Sequence, residues 1–312
     1  MFCNLFYIII VFGILRSKII LKLFLLITAL FIRIFSNCIG NVYQKKLTEL
    51  DCNPFAINAV TYVFLSLFCI PFLFLYGFHS VQPGFWGYVV VVGFLGALGN
   101  GFLVKALQDG ELSVLGPINS YKPILGLVFA FILLKELPSY LAILGIVLII
   151  LGTFFIVDTS KDKFHIVFFK NKSIQYRFAA LFCCSLEAIF IKKLILLSTI
   201  WDTFVVWCFS GAIFAFVFLK LMKLNIKQEF NVLKNRNATY IIKVIICVGM
   251  MQFTTNYIFQ HMETAAALAI FQLSTIVSVF LGYHIFHEKN VCKKIIGSII
   301  MMIGAILIIM YN

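Results

Sequence analysis

Gln108-Asp109-Gly110-Glu111-Leu112-Ser113-Val114-Leu115-Gly116-Pro117 has a faint echo 152 positions further on, at Gln260-His261-Met262-Glu263-Thr264-Ala265-Ala266-Ala267. The same step carries Glu136 onto Glu288, Gly145 onto Gly297 and Gly152 onto Gly304. In a chain that is 62% hydrophobic, a match of Ile on Ile means little. Matches of Gln, Glu and Gly mean more. A membrane chain built of two related halves is the mark of a secondary transporter, with its substrate held between the halves.

Composition supports the membrane setting. Of the 312 residues only 12% are charged, against about 25% in soluble domains. The mean hydropathy is +1.06. Apolar runs near the ~20 residues that cross a bilayer recur along the whole length. The net charge is +13. Its Lys and Arg residues are spread over short loops and form no single patch, so nucleic acid is not an expected partner. Membrane-facing basic loops account for them better. The nine cysteines are Cys3, Cys38, Cys52, Cys69, Cys183, Cys184, Cys208, Cys247 and Cys292. Most lie in apolar runs and none forms a CxxC pair, so neither a disulfide framework nor a metal site is expected.

The hydropathy pattern predicts an all-α polytopic protein with ten core spans. These are 23–44, 54–78, 85–107, 111–134, 139–157, 176–197, 201–222, 240–260, 264–286 and 291–311. They group as a first five-helix repeat over 23–157 and a second over 176–312, with 158–175 as linker and 223–239 as a second longer connection. Residues 1–22 stand apart as an N-terminal hydrophobic and basic appendage. Leu5–Leu15 is apolar but short, and Arg16 and Lys18 follow it rather than precede it, which is the wrong order for a signal peptide. Loop charge is asymmetric. Lys45, Lys46, Lys161, Lys163, Lys170, Lys172, Lys223, Lys227, Lys234, Arg236, Lys289, Lys293 and Lys294 follow odd-numbered spans. The positive-inside rule puts those loops in the cytoplasm.

Gly110-Glu111-Leu112-Ser113-Val114-Leu115-Gly116-Pro117, then Lys135-Glu136, Gly145 and Gly152, are repeated as Glu263-Thr264-Ala265-Ala266-Ala267, His287-Glu288, Gly297 and Gly304. From residue 23 to the end the chain resembles the EamA-type branch of the drug/metabolite transporter superfamily. It departs from that branch in span 1, which reads Ser36-Asn37-Cys38-Ile39-Gly40-Asn41 and lacks the Trp common there. The resemblance implies two inverted five-helix repeats with a central cavity between spans 1–4 and 6–9, and spans 5 and 10 packed together at the side. It also implies cytoplasmic termini, which opposes the loop-charge reading and leaves orientation open.

Span 4 contains Asn119-Ser120-Tyr121-Lys122-Pro123. A mid-membrane charge costs at least ~2.5–3.5 kcal/mol, so Lys122 should face a cavity or a partner. One reading has it bind an anionic or carbonyl-bearing substrate; the other pairs it structurally with Glu187. Pro117 and Pro123 remove backbone donors and can kink the span, freeing carbonyls to line a polar site. Glu187 is the one carboxylate deep in a span and is the candidate for proton coupling. Its bland alternative is a charge partner for Lys122, Lys192 or Lys193. Tyr121, Asn119, Asn100, Gln252, Asn256, Gln272, Asn37 and Asn41 complete the candidate substrate-binding set. Each alone is better explained by interhelical hydrogen bonding at about 0.6 kcal/mol, but the set converging from several spans indicates a polar cavity. Tyr62 and Tyr257 are placed near it. Gly93, Gly96 and Gly99, and the two Gly pairs seven apart, read as close-packing faces. Glu111, Glu136, Glu263 and Glu288 sit at span ends, where capping is the expected role.

These features favour a secondary transporter of a small metabolite or drug-like solute. It would be driven by protons or by exchange, sit in the plasma or inner membrane, and act as a monomer or homodimer among lipids. No cofactor and no catalytic residue is expected. A lipid flippase or facilitator of the same fold is the alternative. A membrane transferase is disfavoured, because its clustered Mg²⁺-binding carboxylates are represented only by Asp158 and Asp162. No Walker motif is present, so ATP is not the direct energy source.

Overall fold

A computed structural model describes residues 2–79, 81–125, 128, 139–156 and 170–311, with backbone alone at 2–19, 76, 234–237 and 265. Glu136, Asp158, Asp162 and most of the second half of span 4 lie outside the described residues. The described chain is helical. α1 (Phe2–Glu49), α2 (Pro54–Tyr76) and α3 (Phe85–Asp109) are followed by a short α4 (Leu112–Leu115) and a 3-10 turn at Pro117–Tyr121. Then come α5 (Tyr140–Ile156), α6 (Lys172–Leu197), α7 (Ile200–Leu221), α8 (Ile226–His261), α9 (Thr264–Phe271), α10 (Leu273–Phe286) and α11 (Val291–Tyr311). Among the described residues seven helical stretches are long and apolar enough to cross a membrane: 20–49, 54–75, 85–109, 200–221, 238–261, 266–286 and 291–311. α5 is apolar but shorter. α6 is long, but carries Lys172, Arg177, Glu187, Lys192 and Lys193.

Two local expectations change. Residues 2–22 do not break from span 1: the backbone runs as one helix to Glu49, with no Gly or Pro between Gly13 and Gly40 to interrupt it. The connection 223–239 is largely helix, because Asn225 caps α8 by accepting from the Gln228 N–H and the helix runs on into its span.

The apolar spans pack in symmetric pairs. α1 lies on α8 and α3 lies on α6, while α2 meets α7 and α5 meets α11. These are the partners that a two-fold exchange of the halves would give. The α5–α11 contact fixes its sense. A Cβ on Gly145 would lie 2.6 Å from the Gly304 carbonyl, and one on Gly152 would lie 2.7 Å from the Gly297 carbonyl. The first glycine of one helix faces the second of its counterpart, so these equivalent helices run antiparallel and the repeat is inverted.

Spans 4 and 9 are both discontinuous. Gly116-Pro117 ends α4 after one turn and starts the 3-10 stretch, while α9 and α10 part at Gln272. Ser120 and Gln272 are equivalent by the 152-residue step, and Ser120 Oγ donates to Gln272 Oε1 at 3.3 Å. Both breaks thus meet on the pseudo-symmetry axis, inside apolar spans where irregular backbone needs protein or a cavity to satisfy it.

Candidate functional site

A cavity of about 100 Å³ lies between the halves. α1, α3 and span 4 contribute one wall, and α6, α8 and α9 the other, which are three equivalent pairs of spans. Seven residues of the sequence-derived set line it: Lys122, Asn119, Asn100, Gln252, Asn37, Asn41 and the coupling candidate Glu187. Asn37 and Asn41 are one turn apart on α1, so they share a face.

Three members of the set do not line it. The Tyr121 hydroxyl bonds Thr153 Oγ1 at 2.8 Å and its ring packs edge-on against Phe178, which turns it toward α5. Asn256 is fully buried, accepting from Gln252 Nε2 at 2.9 Å and donating to the Ile200 carbonyl at 3.4 Å. Gln272 is held at the helix break by Ser120. In each case the polar group finds a protein partner first, so adjacency in sequence to a cavity residue is not enough. Tyr257 packs against the His261 ring and is likewise not a lining residue.

Arg33 and Arg177 line the cavity and were absent from the sequence-derived set. Both are almost wholly buried. Arg33 was findable, because it interrupts an apolar run inside span 1 and lies one turn before Asn37. Arg177 sits near the start of α6 and reads there as an ordinary interface charge. Arg177 Nε donates to the Leu115 carbonyl at 2.9 Å and Nη2 to Asn119 Oδ1 at 3.4 Å. The Leu115 carbonyl is available because α4 stops there, so the proline-broken span supplies the acceptor that holds this cation. The Arg33 guanidinium lies 3.9 Å from the centre of the Phe271 ring.

Glu187 accepts from Trp207 Nε1–H at 2.8 Å. Trp207 packs at a tilt against Tyr62, with ring centres 4.7 Å apart, and the Tyr62 hydroxyl accepts from Asn100 Nδ2 at 2.8 Å. Gly96 leaves room for this group: a Cβ there would lie 2.6 Å from Glu187 Oε1. Helix packing therefore accounts for Gly93 and Gly99, against Ser210 and Cys183, but not for Gly96. None of the expected structural pairs forms. Ion pairs among the described residues join Lys45 to Glu288, His79 to Asp202 and Lys294 to Glu111, leaving Glu187 without a basic partner in contact. Lys192 instead donates to the carbonyls of Phe259 and Met262 at the end of α8, and Lys193 lies over the Tyr88 ring.

A polar clamp joins the two halves beyond α10. Glu288, just beyond α10, accepts the Leu112 N–H at 2.7 Å and the Ser113 N–H at 2.8 Å. Its partner Lys45, 3.3 Å away, also donates to the Gly110 carbonyl at 2.8 Å. Lys294 pairs with Glu111 and donates to Ser113 Oγ. Burial pushes the Glu288 carboxyl up, but the bonds from Ser113, the Lys45 ammonium and the Leu112 N–H outweigh it and hold it below the usual carboxylate range. Glu288 is thus a cap, as its span-end position suggested, and it caps a helix of the opposite half.

No three His, Cys, Asp or Glu side chains among the described residues are grouped to hold a metal. A family model described as the EamA-like transporter family matches residues 23–158 and again residues 171–310. No curated protein matches the chain. Among solved structures 27 chains match. One, described only as a crystal structure of a protein, aligns with a TM-score of 0.56 and 14% identity over 91% of this chain and 97% of its own. At that identity the likeness concerns the fold alone.

Proposed function

The chain belongs to the EamA-like transporter family, and from that premise we propose that it is a secondary transporter working by alternating access at the central cavity. The carrying observation is the cavity itself: four buried or half-buried charged side chains, Arg33, Lys122, Arg177 and Glu187, drawn from both repeats and facing one small space. Structural proteins have no use for such a cluster in the bilayer, where each charge is costly. The clamp across Glu288 and Lys45 supports the reading, because it is a polar contact that joins the two halves at one end and can break and re-form. We read ten spans, with 111–134 as the fourth, and the units 1–22, 23–157, 158–175 and 176–312 as appendage, repeat, linker and repeat.

The substrate is a small anionic solute, bound by Lys122 with Asn119, Asn100, Gln252, Asn37 and Asn41 about it. Glu187 carries the coupling proton, sharing the cavity with Lys122 so that the charge state of one bears on the other. The host membrane is the plasma or inner membrane. The test is a comparison of metabolite content in cells with and without the protein, repeated under a proton uncoupler. A class of small acids should differ between the two, and the difference should collapse with the gradient. Identical profiles would refute transport, and a difference indifferent to the uncoupler would make the protein an exchanger or facilitator.

A further inference from the structure

Arg33 is the unexplained group of the cavity. It is 8% exposed, and its Nε and Nη1 are buried with no hydrogen-bond partner among the described residues. Buried donors without acceptors are rare in folded proteins, and a guanidinium loses more than most when left bare. The Phe271 face supports the cation from one side but accepts no N–H bond. Nε and Nη1 lie on different edges of the guanidinium, so the bare donors call for charged acceptor oxygens on two sides, which a carboxylate- or phosphoryl-bearing solute supplies.

The charge count then sets the ligand. Arg33, Lys122 and Arg177 bring three positive charges to the cavity, against the single carboxylate of Glu187. That carboxylate has one oxygen engaged by Trp207, and Arg177 is engaged by Leu115 and Asn119. Resting on the transporter reading, we propose that the cavity binds a compact dianion, either two acidic groups or one phosphoryl group, with Arg33 as its principal anchor. With Glu187 ionised, a monoanion would leave one buried positive charge unmatched and a neutral solute two, and a proton on Glu187 raises the demand for negative charge further. The space is small. At about 100 Å³ it favours a compact ligand over an extended one. Asn37 and Asn41, continuing the Arg33 face of α1, supply neutral hydrogen bonds to the remainder of such a molecule.

The purified full-length protein in detergent is titrated with succinate and with sn-glycerol 3-phosphate at fixed ionic strength. Lactate, alanine and glycerol serve as controls. At least one dianion should bind about 10-fold or more tighter than lactate; the succinate and phosphate arms separate the two chemistries. Arg33→Gln should weaken that binding by about 10- to 100-fold, the scale of a lost charge-assisted bond, and Arg33→Lys should lose less. Should Arg33→Gln fail to fold, Lys122→Gln provides the second charge removal and should weaken dianions more than lactate. Lactate binding as well as the dianions, no dianion binding, or unchanged dianion affinity in a folded Arg33→Gln would each overturn the proposal. Counterflow in proteoliposomes separates it from the transporter reading. Dianion binding without movement sinks transport and leaves the site standing, whereas movement of lactate or glycerol with no dianion binding sinks the dianion site alone.

Discussion

Removing the Glu288 carboxylate should unlock the clamp between the halves. In the wild type this group accepts two backbone N–H bonds, at 2.7 and 2.8 Å, from the first residues of α4, and pairs with Lys45 at 3.3 Å. A hydrogen bond to a charged group contributes about 1.5–3 kcal/mol, and breaking a buried pair from one side costs about 3–5 kcal/mol. Glu288→Ala should therefore cost about 3–5 kcal/mol, because it orphans two donors and leaves Lys45 with the Gly110 carbonyl alone. Glu288→Gln keeps one acceptor oxygen and should cost about half as much. Gly282→Ala should reproduce part of the loss, since its methyl would lie 2.5 Å from Glu288 Oε2. Thermal unfolding in detergent, followed with a thiol-reactive dye, reads this directly, because Cys38, Cys52, Cys69, Cys183 and Cys208 are buried. The folded carboxyl ionises at lower pH than the unfolded one. Its stabilisation is therefore complete above the ordinary carboxylate value of about 4.3 and is lost as pH falls through the lower folded value. The gap between wild type and Glu288→Gln should hold from pH 7 to about 5 and shrink below about 4.3. Equal stability of Glu288→Gln and wild type at pH 7, or a gap that widens in acid, would refute the reasoning.

Three further outcomes follow from the site and the packing. Lys122→Ala should abolish solute movement in proteoliposomes while the protein remains folded and inserted; undiminished uptake would remove Lys122 from the binding site. Glu187→Gln should leave exchange intact but remove its dependence on a pH gradient, and should shift Trp207 emission, because its Nε1–H bond partner changes; a variant that still needs the gradient would mean the proton travels elsewhere. Gly152→Ala should destabilise the α5–α11 pair by about 1–3 kcal/mol, since its methyl would lie 2.7 Å from a backbone carbonyl that cannot swing aside; a melting temperature equal to that of the wild type would contradict so close an approach.

The repeat was legible because its markers are residues that apolar drift does not produce. Gly145, Gly152, Gly297 and Gly304 recur seven apart since each lies against a backbone of the opposite half, where no side chain fits. Glu288 recurs because it caps a helix start across the repeat boundary. The break in span 4 was legible from Pro117. The matching break at Gln272 was not, because no proline or glycine stands there. The length of α1 was hidden as well, because charged residues such as Arg16 and Lys18 do not end a helix that nothing else interrupts, so the stretch 2–22 is helical and continuous with span 1.

The cavity divides differently. Lys122 and Glu187 stood out because an isolated charge in an apolar run has few structural explanations. Tyr121, Asn256 and Gln272 looked equal to Asn119 and Gln252 in sequence, and only the three-dimensional partners separate them. Asn119 and Gln252 are also hydrogen-bonded, to Arg177 and Asn256, yet still face the cavity, and sequence does not give that orientation. Arg33 is the clearest instance. Its position one turn before Asn37 marked the face, but its significance lies in two buried donors that no described residue accepts. In a bilayer an exposed charge finds water at the interface, whereas one held on a buried helix face against an aromatic ring cannot. Such donors are what the proposed anion would complete, and on the transporter reading that anion must pass halves joined at one end by the Glu288–Lys45 pair. On that reading, opening at this end requires the Glu288 cap and the Lys45 pair to break together, so the stability of the clamp and the rate of the transport cycle should move in opposite directions in the Glu288 variants.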